Sequence, residues 1–186
     1  MPKPARTYYE VQQADKWGRI MGIATMQRVW QIGATCKIVV HDKNATAAFL
    51  GQADEYTRQL SGFDRMARCR VDEDPGDDVF RSFVAGQACD YEAEDLARFD
   101  AIIAAITPKL QSFAAVLPQE IWLMMTTGRE EGGTAAYTRG QAIVFPTFIR
   151  QVSDRLLKHV FVHEVFHVLS RHDEARRRQL YRLIHF

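Results

Sequence analysis

The sequence predicts an α+β chain: a largely helical first part, a small antiparallel sheet, then a histidine-bearing helix followed by a second helix. Three observations carry that expectation. Residues 45–117 space their apolar side chains at helical intervals. From Pro118 the chain breaks into short β-branched and aromatic runs separated by glycine. After Ser153 a long, capped, apolar stretch returns to helix. At 186 residues this fits one domain, residues 1–186, able to bury a core without staples.

Residues 1–44 are the least defined, although "CKIVVHD" reads as a short strand ending at Asp42 and Asn44. "ATAAFLGQADEYTRQLSGF" reads as helix up to Ser61-Gly62, and "DEDPGDD" as an acidic turn on Pro75-Gly76. "DDVFRSFVAGQA" predicts a helix with Val79, Phe80, Phe83 and Val84 on one face. A longer helix follows, with Leu96, Phe99, Ile102, Ile103 and Ile106 in register, and Pro108 should kink or divide it. Next come a strand in "EIWLMMTTG", a turn in "REEGG", and two short strands in "TAAYTRG" and "QAIVFP" around a tight turn at Gly140-Gln141. "SDRLLKHVFVHEVFHVLS" predicts about five helical turns, with Ser153 as cap and Asp154 suiting the helix dipole. Ser170 to Asp173 reads as a break, and Asp173 caps a second helix, residues 174–183.

Composition excludes little. Lys plus Arg total 24 against 23 for Asp plus Glu, so net charge gives no reason to expect nucleic acid or a membrane. Cys36, Cys69 and Cys89 form no CxxC pair and read as buried free thiols of a reducing compartment. With no apolar leader and no run of about 18 apolar residues, a cytoplasmic location is the default expectation. A mature form whose leader had been removed would read the same.

The chemistry concentrates in "VHEVFHVLSRHD", residues 162–173. On a helix, residues four apart share a face, so His163 and His167 aim their imidazoles at one point, as a Zn²⁺ ion requires. Glu164 is rotated off that face, where it reaches a water on the metal rather than the metal itself. Zinc lowers the pKa of such a water to about 7. Glu164 would take its proton as general base and hand it to the leaving amine. The helix is uncharged around the motif, so it should be buried, and burying these polar groups without a partner is costly. His159 extends the row but lies about 12 Å along the axis from His167, which makes it a surface or supporting residue.

The third protein ligand stays open. His172 falls in the expected break after the helix, and His185 would return near His163 if the second helix folds back. Asp173 stands where metzincin-type sites place a third ligand, but Ser170 replaces the glycine that lets such a chain turn, and Asp173 serves as a helix cap. Glu174 lies too far along the axis. Gluzincin-type sites take a glutamate twenty or more residues onward, at or past Phe186.

Several segments together resemble a bacterial zinc metallopeptidase family with zincin-like architecture. They are "TTGREEGGTAAYTRGQAIVFP" (126–146), "HEVFHVLSRH" (163–172) and "RRQLYRLIHF" (177–186), supported upstream by "LSGFDRMARCRVDED" and "FRSFVAGQA". The resemblance implies His163 and His167 as zinc ligands, Glu164 as base and a peptide or protein substrate. His185 departs from it by standing where a glycine is expected, and members of the family continue beyond this point.

The leading expectation is therefore a zinc-dependent peptidase; a non-catalytic, metal-stabilised binding module is the alternative. "QAIVFP" or "TAAYTRG" would present a strand edge to extended substrate. Tyr137 and Tyr181 are candidates for an oxyanion donor, with core packing the simpler role for each. Arg171, Arg176, Arg177, Arg178 and Arg182 invite a phosphate-binding reading. However, Asp173–Arg177 and Glu174–Arg178 are i,i+4 pairs, which predicts a solvated helix face and no nucleic acid.

Overall fold

Strands rich in Val, Ile, Met and Phe, buried on both faces, need helices on both sides, and that is the arrangement found. The computed structural model describes residues 28–173 together with Arg177, Arg178 and Arg182. Two strands, β1 (Val29–Ile32) and β2 (Cys36–Val40), lead into α1 (Lys43–Leu50), α2 (Glu55–Gln59), α3 (Gly62–Cys69) and α4 (Gly76–Ala85). The short β3 (Ala88–Cys89) precedes α5 (Ala93–Leu110). There follow β4 (Glu120–Thr126), β5 (Tyr137–Arg139), β6 (Ala142–Pro146) and α6 (Asp154–His172).

The sheet runs β1-β2-β4-β6-β5, with β3 on the end of β4. β2, β4 and β6 are mutually parallel, while β1, β5 and β3 are antiparallel additions. The expected antiparallel sheet is thus a mixed one. The reason lies in the connections: five helices and β3 separate β2 from β4, and the excursion through β5 brings β6 back beside β4 in the same direction. Alternation along β4 and β6 divides the core. Ile121, Leu123, Met125, Ile143 and Phe145 face α5 and α6. Met124, Ala142 and Val144 face Leu50, Phe80 and Val84 of α1 and α4.

Four local expectations are corrected. The helix from Ala45 to Ser61 is broken at Gly51–Asp54, where Asp54 and Thr57 form a capping box for α2. The freed carbonyls of Leu50 and Gln52 each accept from the Arg139 guanidinium at 2.8 Å. On α4, Phe80 and Val84 are buried but Val79 is 58% exposed, because the face is narrower than the apolar run. Pro108 does not divide α5, which continues to Leu110 before a 3₁₀ turn at Gln111–Val116. Its missing N–H falls opposite exposed Ala104, where water can serve the carbonyl. The break at Ser170 is also absent. The Ser170 hydroxyl bonds back to the His167 carbonyl at 3.0 Å and α6 runs on through His172.

α6 starts where expected, with the Ser153 hydroxyl accepting the Leu156 N–H. Arg98 of α5 fixes that start through the Ile149 and Val152 carbonyls and Asp154 at 2.7–2.8 Å. Phe161 then packs with Phe99 and Phe145, ring centroids 5.1–6.3 Å apart.

Candidate active site

α6 is not buried all round, as its composition had suggested. Leu157, Phe161, Glu164, Val165, Val168 and Leu169 face inward, while Leu156, Val162 and His163 are exposed. The motif straddles that boundary. His163 and His167 bring their Nε2 atoms to 2.9 Å, rings nearly perpendicular, so both nitrogens converge on one point outside the helix. Two imidazoles held this way need either a shared proton or a cation between their lone pairs. Their chemistry fits two of the nitrogen ligands of a zinc ion. Burial holds His167 below the ordinary histidine range, helped by the positive charges of His163 and Arg171 and opposed by Glu164.

Glu164, between the two histidines in sequence, is only 5% exposed. The hydroxyl of Thr138, on β5, donates to its Oε2 at 2.6 Å. A cavity of about 600 Å³ opens beside Glu164 and His163, walled by apolar residues including Ala136, Phe148, Leu156 and Val160. His159 stands at the same cavity with its Nδ1 on the Arg155 carbonyl at 2.7 Å.

The strand alternatives separate on topology. β6 ("QAIVFP") is interior, flanked by β4 and β5, so it has no edge to offer. β5, within "TAAYTRG", ends the sheet, and among the described residues no strand pairs with its outer side.

The remaining candidates are dispersed. His172 closes α6, rotated about 140° from His167 around the axis. It lines a separate cleft with Pro118, Gly140, Gln141, Val168 and Arg171. Asp173 ends α6, and its carbonyl accepts the Arg177 N–H at 2.9 Å, as the residue opening a second helix should. His185, Glu174 and Tyr181 lie outside the described residues. Tyr137 faces away from Glu164, stacked on Tyr56. Among the described residues, no third histidine, cysteine, aspartate or glutamate joins the His163–His167 pair.

Thr138 escaped the sequence reading, and Arg171 entered it only as a member of a basic cluster. Thr138 holds Glu164, and Arg171 donates to the Thr138 carbonyl. Arg171 could have been found, since it continues the 163, 167 row by four. Thr138 gave no local signal. Compared with protein-family models, curated proteins and solved structures, the chain matches none of them.

Proposed function

We propose that the chain is a zinc-dependent peptidase with zincin-like organisation, His163 and His167 as metal ligands and Glu164 as general base. One observation carries the reading. Two converging imidazoles, a buried carboxylate and an apolar cavity meet beside the edge strand of a sheet. A zinc ion at the histidine pair would supply hydroxide near neutral pH and polarise the scissile carbonyl. Everything else falls to the chain itself. β5 pairs with an extended peptide through backbone hydrogen bonds, and the cavity takes an apolar side chain next to the scissile bond. Thr138 fixes one oxygen of Glu164 and leaves Oε1 to accept the proton of the attacking water. Glu164 then returns that proton to the departing amine. No third protein ligand joins the pair among the described residues; outside them the sequence leaves His185 or a residue at or past Phe186 as candidates. The motif blocks at 126–146 and 163–172 support the same family reading.

Zinc analysis and a quenched-fluorescent peptide library test this together. Glu164→Gln retains zinc and loses about 10²–10⁴-fold in cleavage; His163→Ala and His167→Ala lose zinc. Undiminished cleavage by Glu164→Gln overturns the mechanism. The second reading, a metal-stabilised binding module without turnover, is favoured by the missing third donor among the described residues. Stoichiometric zinc with no cleavage of any library member would select it.

A further inference from the structure

We infer that Arg171 reads a substrate carboxylate, about three to four residues along the peptide from the side chain held in the apolar cavity. This rests on the peptide-binding reading above and adds a substrate class to it. Arg171 donates to the Thr138 carbonyl, so that carbonyl points away from β6. In an antiparallel ladder a residue with an outward carbonyl also has an outward N–H, and the pattern repeats every second residue. The outward groups of this edge are therefore those of Ala136 and Thr138. Ala136 lines the apolar cavity, and among the described residues no strand pairs with the outer side of this edge. At Thr138 the acceptor is already occupied by a guanidinium.

A peptide laid on the edge therefore runs into Arg171. Eight helical residues separate Arg171 from His163, about 12 Å along the axis, which an extended peptide covers in about three to four residues. The guanidinium has five N–H donors, and no carboxylate among the described residues pairs with it. Beside it opens a cleft of about 270 Å³ lined by Gly140, Gln141 and His172. Gly140, at φ 58°, adds no side chain there. A planar, charged fork beside a small cleft matches a carboxylate. That group is either an aspartate or glutamate side chain or the terminal carboxylate of a peptide ending there.

The test measures anisotropy of fluorescein-labelled, alanine-rich octapeptides on full-length Glu164→Gln protein, with and without zinc, and kcat/KM on wild type. Each peptide carries one Leu and, three or four residues to either side, Asp, Asn or Lys with an amidated C-terminus. A second set ends at that position as free acid or amide. Asp peptides bind about tenfold tighter than Asn ones, and Lys peptides bind weakest. Preference in the first set identifies a side chain; preference confined to the second identifies a chain terminus. Arg171→Gln reduces the preference below twofold and Arg171→Lys retains a preference for charge. Equal binding of Asp and Lys peptides by the Glu164→Gln protein, or no peptide binding, overturns the inference. So does a preference that survives Arg171→Gln in a protein of unchanged melting temperature. Carboxylate-selective binding without cleavage by wild type would refute the peptidase reading while leaving this one standing.

Discussion

The two faces of β5 each meet a buried carboxylate, and the two are treated differently. On one face Thr138 gives Glu164 a short, direct hydrogen bond, and that carboxylate borders a cavity. On the other, Tyr137 reaches Glu130 only at 3.4 Å, and Glu130, 1% exposed, keeps Oε2 without a partner. Burial raises the Glu130 carboxyl above its usual range, with Thr126 and Tyr137 pulling the other way. Electrostatic perturbation alone would nominate Glu130 as the functional acid. Access decides otherwise, since a base must reach substrate. The same face also holds Arg139, whose side chain is 1% exposed, on Asp54 at 2.6 Å, with its guanidinium over Phe49 and Tyr56. One face borders the proposed site, and the other anchors the strand to α1 and α2.

Substitutions can break or sharpen this contrast, the largest effect first. Glu164→Gln removes about 10²–10⁴-fold of cleavage while the melting temperature moves little, because the amide still accepts from Thr138. A large loss of stability would make Glu164 a structural group like its counterpart. Arg139→Met strands Asp54 and two backbone acceptors, and denaturant unfolding should show a loss of about 3–5 kcal/mol. A loss under 1 kcal/mol would remove the anchoring role. Thr138→Val costs about 1–3 kcal/mol by leaving a buried carboxylate oxygen unpaired, and Thr138→Ser restores most of it. Equal losses in both variants would mean that β-branched packing, not the hydroxyl, joins strand to helix.

The smallest effect is the pH dependence of Glu130. Its folded pKa lies above the unfolded value of about 4.3. The penalty is therefore absent below the unfolded pKa and complete once pH rises past the folded one. Relative to Glu130→Gln, wild type gains stability as pH falls from 7 to 4. Unfolding curves for both proteins at those two pH values check it, and a gain in the opposite direction would show that Oε2 is served in solution.

Much of the site was legible because its determinants are local. The i,i+4 histidines, the Ser153 cap and the apolar runs of β4 and β6 all act within a few residues, where local sequence pattern works. The break at Gly51–Asp54 escaped because part of its cause, the Arg139 guanidinium, lies more than eighty residues onward. Thr138 escaped for the same kind of reason: a threonine in a strand is ordinary until a helix places a carboxylate against it.

The sequence by itself determined a histidine pair and a neighbouring glutamate on one capped helix, together with a class of mixed helix and sheet. Helical geometry fixes those relations within a turn. Only the tertiary structure decided that β5 rather than β6 is the edge, that Thr138 holds Glu164, and that His172 turns away from His163 and His167. Strand order and side-chain pairing across the core depend on contacts between residues far apart in the chain, which no local periodicity encodes.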